Sequence, residues 1–195
     1  MSKFNIEKYW QSEIDSHLLS AQKTRDIMLD NFSKALDLCA NAIKSGNKIM
    51  FFGNGGSAAD AQHLATELTV RFIENRQPIA AIALTTDTST LTAAGNDFGF
   101  EHIFSRQIEA IGKAGDIAIA ISTSGKSPNI IKALEMARDK DIITIGMSGR
   151  DGGEMHPLCD NMMIIPSDIT SRIQEMHILL GHMLCGGLEQ KLNLS

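Results

Sequence analysis

The stretch KIMFFGNGGSAADAQHLATEL (Lys48–Leu68) changes texture twice. Lys48–Phe52 is an apolar run of strand length, GNGGS has the composition of a turn, and Ser57 to about Arg71 reads as a helix. At 100° per residue, Ala61, Leu64, Ala65 and Leu68 share one face of that helix. The same grammar recurs downstream. Ile79–Leu84 is a second strand, followed by the polar TTDTST and a further helical stretch. GNDFGF (Gly95–Phe100) is expected as a loop and Glu101–Ile111 as a helix. Asp116–Ile121 is a third strand running into STSGKS, where Ser127 is a helix cap and Pro128 a first helical residue. Ile142–Met147, the loop GRDGGE, Met162–Ile165 and a last helix over about Ser171–Leu192 complete the chain. Alternating strands and helices imply an α/β fold with a parallel sheet covered on both faces. Ligands of such sheets sit beyond the strand carboxyl ends.

Upstream, Ile6, Trp10, Ile14, Leu18, Ala21, Met28, Phe32, Ala35, Leu36, Cys39 and Ile43 recur at helical spacing. Asp30 and Asn31 mark the expected break between two helices. So long a stripe, with Tyr9 and Trp10 near its start, packs either on the domain or on a partner chain. The expectation is a single domain over 1–195, with a helical extension over about 1–45 and an α/β core over about 46–195.

The 195 residues are 43% hydrophobic and 21% charged, with 18 Lys+Arg against 23 Asp+Glu and a net charge of −5. That excludes a disordered chain. The absence of a Lys/Arg-dense stretch argues against nucleic acid, as do the sparse stacking side chains: eight Phe, one Trp and one Tyr. The polar start carries no signal-peptide core, and no apolar run approaches the roughly 18 residues of a membrane span. Cys39, Cys159 and Cys185 are odd in number and widely spaced, which disfavours a disulfide framework or thiolate zinc site. The expected location is cytoplasmic.

Three strand-end loops, GNGGSA (Gly53–Ala58), STSGKS (Ser122–Ser127) and SGRDGG (Ser148–Gly153), combine glycines with hydroxyls. Two such loops side by side can cradle a phosphate with backbone amides, hydroxyls and helix ends alone. Neither is a nucleotide fingerprint. GNGG lacks the third glycine of G-x-G-x-x-G, and Ala120 stands where a P-loop needs its first glycine. On the helix after GNGGS, His63 and Glu67 lie four apart, a spacing that suits two metal ligands, an acid/base pair or a solvated flank. The last helix carries Gln174, His177 and His182. His182 sits in an apolar run, where a hydrogen-bonded core histidine is the plain alternative to a catalyst. Arg172 and Glu175 read as surface charges, and His17, His102 and His156 as surface residues without partners. Asn96 and Asp97 fit a turn or a place near a site.

FFGNGGSAADAQHLATEL, AAGNDFGF, AISTSGKSPNIIKA, GRDGGE and RIQEMHILLGHML, in that order, resemble the sugar isomerase (SIS) domain family, and within it the phosphoheptose isomerases. The resemblance covers essentially the whole chain. It implies a flavodoxin-like three-layer sandwich with a five-stranded parallel sheet, in a homotetramer with inter-subunit active sites. It implies isomerisation of D-sedoheptulose 7-phosphate to D-glycero-D-manno-heptose 7-phosphate, the first step toward the ADP- or GDP-heptose precursors of lipopolysaccharide. It places Asn54, Gly55, Gly56, Ser57, His63, Glu67, Asn96, Asp97, Ser122, Thr123, Ser124, Ser127 and Gln174 at the substrate. Glu67 and His182 match the family's acid/base pair, and His63, Glu67, Gln174 and His182 its zinc ligands, one Zn2+ per subunit. Lys126 and Thr66 depart from the family's usual residues.

Aldose–ketose isomerisation through an enediol needs a base, an acid and something to polarise the carbonyl oxygen, which these residue types can supply. Gln174 and His182 stand eight apart, about 12 Å on a straight helix. Both can reach one metal only if Gln174 lies in the entry turn or the ligands come from different chains. Two rival readings are a non-catalytic SIS adaptor that binds the replication initiator and an SIS isomerase or sensor for another sugar phosphate. The first lacks the acid/base pair; the second is not distinguished by loop composition.

Overall fold

The first strand of the sheet, β1 (Ile49–Gly53), lies between two others. The structure, a computed structural model, describes residues 4–193, so residues 1–3 and 194–195 of the expected domain lie outside the description. In chain order the elements are α1 (Ile6–Ile27), α2 (Leu29–Lys44), β1, α3 (Gly56–Thr69), β2 (Ala81–Ala83), α4 (Thr88–Asp97), α5 (Ser105–Ile111), β3 (Ile117–Ser122), α6 (Pro128–Asp139), β4 (Ile143–Gly149), β5 (Asn161–Ile165) and α7 (Thr170–Lys191). Short 3-10 turns cover Phe100–His102 and Gly153–Leu158.

All strand pairs are parallel, in the order β2-β1-β3-β4-β5. This is the flavodoxin-like order, whose direction reverses between β1 and β3. Phe52 pairs with Ala120 and Gly53 with Ile121, so the loops GNGGSA and STSGKS leave the sheet side by side at that reversal.

Alternation along the strands makes two cores. Ile49, Phe51, Ile117, Ile119, Ile121, Ile145 and Met147 meet α2, α3 and α7 on one face. Met50, Phe52, Ala118 and Ala120 meet α4, α5 and α6 on the other. β1, β3, β4 and β5 are buried on both sides, which is why they read as continuous apolar runs rather than alternating ones, whereas the edge strand β2 exposes Ile82. Three layers result.

The expected amino-terminal helices are present, but they differ in role. In α2, Ala35, Cys39, Ala40 and Ala42 are core residues. In α1 the buried residues are only Ser20 and Thr24, while Ile6, Tyr9, Trp10, Ile14, Leu18 and Leu19 face outward. A groove of about 280 Å³ between α1, α2 and α7 is lined by Ala21, Met28, Phe32, Leu180 and Met183.

The break falls at Met28, not at Asp30 and Asn31. Met28 is buried, and Asp30 lies in the first turn of α2, where its charge favours the helix dipole. Gly95–Asp97, expected in a loop, forms the last turn of α4, which is capped at its start by the Asp87 side chain.

Candidate active site

The first glycine-rich loop meets the first turn of α6, which the second loop leads into, through a pair of amides. Asn54 Nδ2 donates to Asn129 Oδ1, and Asn129 Nδ2 donates to Asn54 Oδ1, both at 2.8 Å. Asn54 and Gly55 precede α3, and Gly55 adopts φ 56°, the left-handed region that favours glycine. Ser57 is buried in the first turn of α3. A cleft of about 420 Å³ opens here, lined by Asn54, Phe100, Glu101, Ser127, Pro128 and Asn129.

In the second loop, Ser122 Oγ accepts the Gly125 N–H at 3.2 Å and Ser124 Oγ accepts the Lys126 N–H at 3.3 Å. Both hydroxyls shape the loop as acceptors, which leaves their hydrogens to donate to a ligand. Ser127 caps α6 without any side-chain capping bond. The GRDGGE loop braces this one from behind. Gly125 O accepts the Met155 N–H at 3.0 Å, and a Cβ on Gly125 would stand 2.0 Å from Gly152 O. Thr123 is half-buried between Ser122 and Ser124.

The reactive groups stand on α3 and α7, which pack side by side in the same direction. Gly181 is seated against Leu64, and Gln174 Nε2 lies 3.0 Å from where a Cβ on Gly56 would be. Lower down the pair, His63 Nε2 lies 3.1 Å from Glu67 Oε1 and 3.0 Å from His182 Nε2. One ring nitrogen thus meets two groups that can each accept from it, an arrangement suited to a shared proton or a cation. The Phe72 ring stacks on His182, 5.5 Å between centroids and 22° between planes. His63 is 49% exposed and Glu67 23%, so the cluster is open to a ligand. Asp60, one turn before His63, is a second carboxylate here, beside Glu67. Burial pushes its carboxyl up, and the nearby His63 and His182 offset only part of that.

These positions test the expected ligand set. Donors on a tetrahedral zinc stand about 3.3 Å apart, close to both separations at His63, and two imidazoles with a carboxylate suit that metal. Gln174 does not join them. It lies beside Gly56, seven residues or about 10 Å up α3 from His63, and in the second turn of α7 rather than its entry. The single-chain route to a four-ligand site therefore fails. His63, Glu67 and His182 suit zinc in residue type and in the two separations at His63. As they stand they do not converge on one point: among the described residues no group of three or more His, Cys, Asp and Glu side chains is disposed to hold a metal ion.

Asn96 and Asp97 pair with each other at the exposed end of α4, Asn96 Nδ2 to Asp97 Oδ1 at 2.7 Å, while Phe100 and Glu101 line the cleft. His177, not His182, is the core histidine. It is fully buried, with Nε2 bonded to Ser148 O, and burial holds it neutral with a pKa near 4. Arg172 is no surface charge: it is 6% exposed and binds Glu13 and Glu175. His17 pairs with Glu175 at 2.7 Å and His102 with Glu101, whereas His156 is exposed. The residues missed from sequence are Asn129, Asp60 and Phe72. Asp60 was findable, since it sits three before His63 on one helix face.

The SIS domain family model matches residues 10–149. The chain is 53% identical over 181 residues to the phosphoheptose isomerase of Paramagnetospirillum magneticum, covering 93% of this chain and 94% of that one. Among solved structures, the phosphoheptose isomerase of Neisseria gonorrhoeae superposes with a TM-score of 0.91 at 40% identity, covering 95% of this chain and all of that one. That of Francisella tularensis gives 0.93 at 34% identity, over 96% of this chain and all of that one. Together with the strand order and the paired loops, these likenesses show that the chain belongs to the SIS domain family, among its phosphoheptose isomerases.

Proposed function

We propose that the enzyme isomerises D-sedoheptulose 7-phosphate to D-glycero-D-manno-heptose 7-phosphate with Glu67 and His182 as its proton-transfer groups. The observation that carries the assignment is the meeting of both side chains at one imidazole, His63, on two helices that begin beside the paired loops. The phosphate is assigned to the hydroxyls of Ser122, Thr123, Ser124 and Ser127 and the start of α6. The sugar hydroxyls are assigned to Asn54, Gly55, Gly56, Ser57, Asn96, Asp97 and Gln174.

Glu67 takes a proton from C1 of the ketose and returns it to C2, while His182 moves the hydroxyl proton from O1 to O2. Atoms and charge balance, since one proton shifts on carbon and one on oxygen. Zn2+ would be held by His63, Glu67 and His182, with Gln174 supplied by a neighbouring copy. When bound it would polarise the carbonyl and hydroxyl oxygens. The outward apolar face of α1 supports a homotetramer with inter-subunit sites. Among the described residues no helix is long and apolar enough to cross a membrane; we assign the enzyme to the cytoplasm, at the first step toward the heptose of lipopolysaccharide.

The test is a coupled assay with sedoheptulose 7-phosphate beside fructose 6-phosphate, with and without chelator. Turnover of the heptulose alone, lost with chelator and restored by Zn2+, is the expected result. Inactivity on both sugars would overturn the assignment.

A further inference from the structure

We propose that the buried Arg76–Glu189 pair and the Phe72 ring are positioning residues that hold Glu67 and His182 at their meeting point on His63; this rests on the roles proposed above. The geometry starts on α7, where His182, Gly186 and Glu189 fall at i, i+4 and i+7 and so share one side of the helix. Glu189 is 2% exposed. Its Oε1 accepts Arg76 Nε at 2.8 Å and the Phe72 N–H at 3.2 Å, and its Oε2 accepts the N–H groups of Ile73 and Glu74 at 3.3 and 3.4 Å. One carboxylate thereby gathers three successive amides of the segment that follows α3. Arg76 closes the circuit from the other side. Its Nη1 donates to Leu68 O and Gln77 O, and its Nη2 to Glu67 O at 2.8 Å.

The pair therefore touches both proposed proton-transfer residues indirectly: Glu67 through its own carbonyl, His182 through the ring of Phe72. Gly186 makes the second link possible, because a Cβ there would lie 3.3 Å from Phe72 Cε1. Burial raises the Glu189 carboxyl, but the Phe72 amide, the Arg76 guanidinium and the amides of Ile73 and Glu74 more than offset it. The group stays ionised and fixed at neutral pH. Stability alone is a weak reason for such a pair, since apolar residues of similar volume often serve as well. Its bonds instead converge on the segment that carries an aromatic ring onto the His182 imidazole.

The test uses the full-length protein in the isomerase assay, with thermal unfolding run in parallel. Phe72→Leu removes the ring and Gly186→Ala crowds it. Each is expected to lower kcat by about tenfold or more, with KM changed less than about twofold, at temperatures well below the unfolding midpoint. Phe72→Tyr is expected to restore kcat to within about twofold of the native value. Glu189→Gln is expected to follow Phe72→Leu; if it fails to fold, the Phe72 and Gly186 variants decide alone. Native kcat in folded Phe72→Leu and Gly186→Ala would overturn the proposal, as would activity losses that only track unfolded protein. His182→Gln is the reference. If it is near-native, the role of His182 itself fails; if it is inactive while Phe72→Leu is native, only the positioning fails.

Discussion

Asn54 and Asn129, 75 positions apart in the chain, exchange two amide hydrogen bonds at 2.8 Å and so join the loop after β1 to the first turn of α6. Each amide uses one donor and one acceptor on the other, and the cleft beside them is available to the remaining groups. Asn129→Asp replaces one donor with an acceptor and sets a negative charge beside the proposed phosphate site. KM for the sugar phosphate is expected to rise by about tenfold, equivalent to about 1.4 kcal/mol, with a smaller change in kcat. Steady-state kinetics check it; an unchanged KM would place the phosphate elsewhere.

Glu67→Gln keeps side-chain shape, His182→Gln replaces the ring with an amide of similar reach, and both remove proton transfer. Each is expected to reduce kcat by about 10² to 10⁴ while leaving the unfolding midpoint near that of the native protein. Near-native turnover in either variant would sink the assignment of that residue.

Gly125 adopts φ +64°, and a side chain there would meet Gly152 O at 2.0 Å, so the two loops cannot accommodate a methyl group without moving apart. Gly125→Ala is expected to cost about 1–3 kcal/mol of stability and to weaken sugar-phosphate binding together with it. Denaturant unfolding and the KM of the folded fraction provide the measurement.

Asp116 sits at the edge of β3 and accepts from the Lys48 amide and ammonium and from the Lys113 amide. Burial raises its carboxyl, but those bonds offset this and leave it lower than usual. A folded-state pKa below the unfolded one gives stability that is present above about pH 4 and lost as pH falls through the folded value. Asp116→Asn is therefore expected to be less stable than the native protein at pH 7, with the gap shrinking toward pH 3. A gap that stays constant across that range would remove Asp116 from the acid response.

The alternation of apolar runs and glycine loops was enough to read all five strands and the face of α3, because burial on both sides of β1, β3, β4 and β5 leaves its mark in adjacent residues and the edge strand β2 is apolar as well. Positions set by distant contacts were not legible. Arg172 looked like a solvated charge, yet its guanidinium is buried where α1 crosses the start of α7 and meets Glu13. Asn129 follows a cap and a proline that already explain the helix, so nothing local hinted at its bond to Asn54. Met28 caps α1 with its side chain buried in the core, and Asp30 and Asn31 continue into α2, so the break follows a buried contact that the local sequence does not announce. His63, Glu67 and His182 were legible as residue types; only the parallel seating of α3 on α7 shows which of them meet and leaves Gln174 at the other end.

The single Trp of the chain, Trp10, lies on the outward face of α1 and is 66% exposed. It makes that helix its own spectroscopic label. An indole in water emits to the red of one covered by apolar side chains, so self-association through α1 shifts the emission of one fluorophore, unobscured by any other Trp. A dilution series read at that wavelength follows subunit exchange with no dye attached and no residue replaced.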